Sequence, residues 1–194
     1  MSKAERTRAF IIERTAPIFN KKGFAGTSLN DITAATGLTK GSIYGNFANK
    51  DEVALAVFDY NLNKLNTAVA IEFAKQATAK DKLLVYADKY EQIFDLPFSE
   101  GGCPILNTAI EADDTHPDLK KRAAAAVLSW KNKLVQIIEE GITNKEFKTD
   151  VDAEQLALTM IATIEGGIMI AKLLGKAKHF AVIMQSMKKM IIMS

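Results

Sequence analysis

Apolar residues recur three and four positions apart along nearly the whole chain and nowhere alternate over a useful length. That spacing lines one face of a 3.6-residue period, so it predicts helices throughout. A first helix is predicted over about residues 3–22, burying Ile11, Thr15, Ile18 and Phe19. Pro17 inside it removes a backbone donor and should kink it, and Gly23 is a natural stop. Ser28 and Asp31 make a capping-box-like pair that opens a second helix over about residues 29–36. Gly37 breaks that helix, and a third follows over about residues 40–47, with Ile43 and Phe47 facing inward together. Asn49 to Glu52 forms a further capping signature. It opens a fourth helix reaching about residue 75, with the stripe Leu55, Phe58, Leu62, Leu65 and Val69.

A fifth helix is expected over about residues 80–94, followed by a stretch rich in glycine and proline. Cys103 and Pro104 start a sixth, which ends near residue 114. Thr115, His116, Pro117 and Asp118 then open a seventh with the stripe Leu119, Ala123, Ala126, Trp130, Leu134 and Ile137. Asp152 caps an eighth helix to about residue 174, and a ninth covers about residues 177–193. The expected fold is all-α with about nine helices. Residues 1–48 form a three-helix N-terminal domain, and 49–194 a helical bundle.

Composition narrows what such a fold does. A chain of 194 residues that is 48% hydrophobic can build a substantial core. One cysteine forbids an intramolecular disulfide and suits a reducing compartment. The first residues are charged and no apolar run reaches the roughly 18 residues of a membrane span, so a cytoplasmic protein without a membrane partner is expected. The net charge of +2 is uneven: residues 1–50 carry eight Lys and Arg against three Asp and Glu. A basic head on an acidic body suits phosphate binding, although scattered surface charge gives the same count. Two histidines, one cysteine and the lack of a glycine-rich phosphate loop after a strand argue against an enzyme. Asp113, Asp114 and His116 fall at a helix junction where capping explains them, and neither metal nor cofactor is expected. His179 is read as surface.

The segment from Thr33 to Phe47 carries the chemistry. Two short helices around a glycine turn have the layout of a helix-turn-helix, whose second helix can enter a DNA major groove. Gly37 supplies the positive φ of the turn, and Leu38 and Ile43 pin the second helix. Outward, Thr39, Lys40, Ser42, Tyr44, Asn46 and Lys50 can donate to phosphates or base edges. Gly41 and Gly45 keep that helix slim enough for close backbone approach. A pair of short surface helices with polar exteriors has the same spacing, so spacing alone leaves both open.

The residues Phe19, Gly23-Phe24, Thr27-Ser28, Asp31-Ile32, Ala35, Gly37-Leu38, Lys40 to Tyr44, Phe47 and Lys50 change that balance. In this register they resemble the N-terminal domain of the tetracycline-repressor (TetR) family of bacterial transcriptional regulators. The resemblance implies that Thr27 and Ser28 cap the second helix near a phosphate. It also implies that Lys40, Ser42 and Tyr44 face the groove or its walls, and that Lys50 meets a phosphate at the N-terminus of the fourth helix. Thr33 and Gly45 depart from the family pattern, and Gly45 leaves any inherited base preference without a contacting side chain.

Residues 102–111 and 164–172 resemble segments of the family's helical C-terminal domain more loosely. The resemblance implies dimerisation through the last two helices and a pocket for an inducing small molecule. The ninth helix supports the first point independently: Phe180, Val182, Ile183, Met184, Met187, Met190 and Ile191 wrap beyond one stripe. Gly166 and Gly167 in mid-helix imply close approach of another helix or room for a ligand, with packing favoured. Phe94, Cys103, Leu106, Asn107, Ile110, Trp130, Met160 and Ile164 are the candidate pocket residues. The expected function is a homodimeric repressor, released from a palindromic DNA operator by a small, mostly apolar effector. The alternative is a DNA-binding redox or electrophile sensor triggered through Cys103, whose thiolate a helix N-terminus would favour.

Overall fold

The structure is a computed structural model, and it describes residues 2–93 and 101–194. The described residues form nine α-helices and no strand. These are α1 (Lys3–Gly26), α2 (Leu29–Thr36), α3 (Lys40–Tyr44), α4 (Lys50–Phe73), α5 (Ala79–Ile93), α6 (Pro104–Ala112), α7 (Pro117–Thr143), α8 (Ala153–Leu174) and α9 (Ala177–Met193).

These helices belong to two compact units. The first holds the chain up to Leu65 together with α6 and the start of α7 as far as Ala124. The second holds the end of α4 from Asn66, α5, the rest of α7, α8 and α9. The sequence division at residue 48 is therefore not where the packing divides: α6 and most of α4 pack with the N-terminal helices.

In the first unit α1 keeps helical dihedrals through Pro17 and breaks instead at Gly23, whose φ of 73° and ψ of 179° no helix contains. The predicted kink thus moves from the proline to the glycine. Its core is Ile11, Phe19, Ile32, Ile43, Phe47, Val53, Val57 and Phe58. The buried face of α4 is Val53, Ala54, Val57, Phe58 and Asn61, while Leu55, Leu62 and Leu65 of the expected stripe are only half-buried. Asn61 explains the rotation. It is a polar residue in the core, and its Nδ2 donates to the Ala16 carbonyl at 3.3 Å.

The second unit follows the expected pattern closely. Trp130, Leu134 and Ile137 of α7 are buried, as are Leu156, Met160, Ile164 and Ile168 of α8. Asp152 caps α8, its carboxylate accepting from the Gln155 N–H at 2.9 Å. An 18-residue window of α8, itself 22 residues long, reaches a mean hydropathy of 1.6, long and apolar enough to cross a membrane by those measures although its apolar run is interrupted. Its buried residues line the core of its own unit, as in a helix packed inside a globule. Gly167 lies against the Phe180 ring of α9, where an added Cβ would come within 3.1 Å, whereas a Cβ added at Gly166 would point into open space.

Candidate nucleic-acid interface

The second helix is fixed from both ends. Ser28 Oγ accepts from the Asp31 N–H at 3.1 Å, and the Asp31 carboxylate accepts from the Ser28 N–H at 2.8 Å. Lys22 donates to the same carboxylate at 2.6 Å. The Lys22 hydrogen bond, then those from the Ser28 hydroxyl and N–H, hold the Asp31 carboxyl well below the usual carboxylate range. At the other end Gly37 takes the left-handed conformation (φ 69°, ψ 9°), and its N–H donates to the Thr33 carbonyl at 2.9 Å. Thr39 then caps α3, accepting from the Ser42 N–H at 3.2 Å.

The third helix is shorter than expected and ends at Tyr44, with Gly45 as its C-cap. Ile43 and Phe47 still point inward and are buried. On the outer side Thr39, Lys40, Gly41 and Gly45 are exposed, Ser42 and Asn46 are half-buried, and Tyr44 is 46% exposed. An aromatic ring left that open beside a lysine and two hydroxyls suits a polar partner more than a protein core. Asn46 is partly committed: its Nδ2 donates to the Ser42 carbonyl at 2.9 Å.

Two of the predicted phosphate contacts are engaged elsewhere. Thr27 is fully buried and its hydroxyl donates to the Gly23 carbonyl at 2.6 Å, so that side chain cannot face a phosphate. Thr27 stands at the C-cap of α1, and its hydroxyl turns back onto a carbonyl of that helix and not toward the start of α2. Lys50 donates to the Phe24 and Thr27 carbonyls at 2.8 and 3.0 Å, with its ammonium 4.1 Å from the Phe24 ring centroid. Its charge closes the C-terminal end of α1, where carbonyls lack partners.

Arg8 was not singled out by the sequence. Its guanidinium donates to the Asn46 carbonyl at 2.7 Å, pairs with Glu52 at 2.7 Å and covers the Phe47 ring at 4.0 Å. The Ala48 N–H and then Arg8 hold the Glu52 carboxyl below its ordinary value. One side chain of α1 thereby ties the end of α3 to the start of α4.

Residues 11–57 match the bacterial regulatory proteins of the tetR family, and residues 79–187 match the tetracyclin repressor-like C-terminal domain. The chain belongs to the TetR family. As such it is a helix-turn-helix, DNA-binding transcriptional regulator. A TetR-family transcriptional regulator from Cytophaga hutchinsonii superimposes with a TM-score of 0.91 at 47% identity, over 98% of this chain and 96% of that one. The regulator TtgR of Pseudomonas putida is 28% identical over 84% of this chain and 79% of its own. FadR from Bacillus subtilis, solved in complex with stearoyl-CoA, has a TM-score of 0.76 at 18% identity, covering 95% and 97% of the two chains. That last likeness is one of TetR fold.

The candidate effector residues divide between the two units. Cys103, Leu106, Asn107 and Ile110 belong to the first, and Trp130, Met160 and Ile164 to the second. Phe94 lies outside the described residues. Within the first unit Ile110 is 64% exposed, so it faces solvent and not an enclosed space, a correction to its expected role. Leu106 is half-buried. Asn107 alone of the four borders a cavity of about 30 Å³, shared with Phe24, Phe58, Asn61 and Glu111. That volume holds about one water. In the second unit Trp130, Met160 and Ile164 are buried. The Trp130 ring centroid is 5.7 Å from that of Tyr86. Burial pushes the Tyr86 phenol well above its ordinary range, and a hydrogen bond with Trp130 opposes this. Cys103 occupies the N-cap of α6 and is 4% exposed. Among the described residues, no three His, Cys, Asp or Glu side chains gather as metal ligands would. His116 instead caps α7, its Nδ1 accepting from the Leu119 N–H at 3.2 Å.

Proposed function

We propose that the protein is a homodimeric repressor that grips a palindromic operator with two copies of α3 and is released by a small, mostly apolar effector. The observation that carries the DNA contact is the outer face of α3. Lys40, Ser42 and Tyr44 stand outward there while Ile43 and Phe47 anchor the same segment from below. Thr39 and the backbone at Gly41 flank that face and supply phosphate donors, while Ser28, whose hydroxyl and N–H both donate to Asp31, fixes the start of α2; Asn46 retains one amide hydrogen for a base edge. Thr27 and Lys50 hold the junction behind it.

Dimerisation is supported by the open side of α8 and α9. Leu158, Ala162, Gly166, Met169 and Leu173 recur at helical spacing on α8 and are exposed or half-exposed, Leu173 at 81%. Val182 and Met193 of α9 are exposed as well. Apolar area of this kind favours a second copy, and the bare Cα of Gly166 lets a partner helix approach closely. The buried set Tyr86, Trp130, Met160 and Ile164 supports an apolar effector site with a phenol and an indole as polar anchors. Coupling then runs along α4, which is continuous from its N-terminus in the first unit to Phe73 in the second. A thiol only 4% exposed favours this ligand-driven version over one triggered at Cys103. A cytoplasmic location follows from this role.

Selection from a randomised duplex library tests the reading. An inverted repeat should emerge, with half-site centres about one DNA turn (~34–36 Å) or a multiple apart. No enrichment would contradict it.

A further inference from the structure

The break in α1 at Gly23 opens the helix ladder, and α6 closes both sides of the gap. The Phe24 and Ala25 N–H groups no longer serve the ladder and donate to the two carboxylate oxygens of Glu111 at 2.7 and 2.8 Å. The Asn20 carbonyl, four residues before Phe24, accepts instead from Asn107 Nδ2 at 2.9 Å. Asn107 and Glu111 stand one turn apart, on one face of α6. In return Asn20 Nδ2 donates to the Gly102 carbonyl just before that helix, at 3.0 Å. Gly23 is required twice: its φ is positive, and any Cβ there would collide with the Glu111 carboxylate.

We propose that Asn107 and Glu111 are positioning residues through which α6 sets the α1–α2 junction, and with it the DNA-reading face. The inference rests on the DNA-binding reading above and adds a route distinct from α4. The junction that Glu111 holds is the one that Thr27 and Lys50 close and from which Ser28 launches α2. A displacement of α6 pulls the carboxylate from two backbone donors and the amide from a backbone acceptor. The freed peptide groups have no alternative partners in the helix, so the junction loosens and α2 loses its fixed start.

The test uses full-length protein labelled with ¹⁵N and the duplex that the wild type selects from a random library. Glu111→Ala should speed hydrogen exchange at the Phe24 and Ala25 amides at least tenfold relative to amides of α9. It should also weaken duplex binding about tenfold, within the usual range of site-to-site coupling. The slope of affinity against salt should not change, because Glu111 touches no phosphate. Glu111→Gln keeps one acceptor oxygen and should fall between, and it carries the test if the alanine variant does not fold. Unchanged exchange at the two amides, or unchanged duplex affinity, overturns the inference while leaving DNA binding intact. If the wild type enriches no duplex, the DNA-binding reading fails first and this inference with it.

Discussion

The Lys50 ammonium sits 4.1 Å from the centroid of the Phe24 ring and 2.8 Å from the carbonyl oxygen of the same residue. A cation placed on both a ring and a helix C-terminus closes α1 before the chain turns into α2. Lys50→Met keeps the stem and removes the charge. It should cost about 1–2 kcal/mol, with a fall of roughly 2–4 °C in melting temperature per kcal/mol. The salt slope of DNA binding should stay as in the wild type.

Lys40→Ala should behave in the opposite way. Lys40 is exposed and forms no ion pair among the described residues, so its loss should leave the melting temperature nearly unchanged. Affinity for duplex DNA should drop, and the slope of log K against log salt should flatten by about 0.9, one phosphate's worth. A salt titration of both variants separates the two roles.

Thr27→Val tests the reassignment of a neighbouring residue. The substitution preserves shape and removes the donor to the Gly23 carbonyl. A loss of about 1 kcal/mol in denaturant unfolding, with no change in salt slope, is expected. Weaker duplex binding with stability unchanged would restore Thr27 to the phosphate surface.

Acid should release the α1–α2 clasp. Asp31 has an ordinary value of 3.8, lowered in the folded protein by Lys22 first and then by Ser28. A depressed folded pKa stabilises above the unfolded value and loses that contribution as pH falls through the folded one. The stability gap between wild type and Asp31→Asn, followed by unfolding from neutral to strongly acid pH, should be full near pH 7. It should shrink as the pH drops below the ordinary carboxylate range.

Leu173→Glu places a charge on the open apolar side of α8. The wild type should sediment as a dimer and the variant as a folded monomer with unchanged circular dichroism. Gly166→Leu, at a position where a side chain points into open space within the chain, should weaken association in the same way.

Much of this was legible in the sequence. The α7 stripe from Leu119 to Ile137 is buried as its spacing requires, because a long helix packed on one side has few ways to satisfy that pattern. Hydropathy misplaced the inner face of α4, since Asn61 is polar yet buried, satisfied by a carbonyl 45 residues away. The type of Thr27 suited a phosphate, but a carbonyl four residues earlier captured its hydroxyl, as happens at Thr15 and Thr36 too. Glu111 fell within a segment resembling the family's C-terminal domain, but its spacing gave no sign of its contact with α1. Its partners are 87 and 86 residues away, and an exposed-looking carboxylate on a short helix does not announce a contact at such range.

The proposed function requires α3 to enter a major groove once in each half of a symmetric site. Attaching a short photo-crosslinker to Ser42→Cys and mapping its attachment to bases of the selected duplex tests this directly. Two crosslink positions related by the symmetry of the repeat, on major-groove edges about one turn or a multiple apart, are the result expected. Crosslinks scattered along the backbone, or none where the duplex is bound, would contradict it.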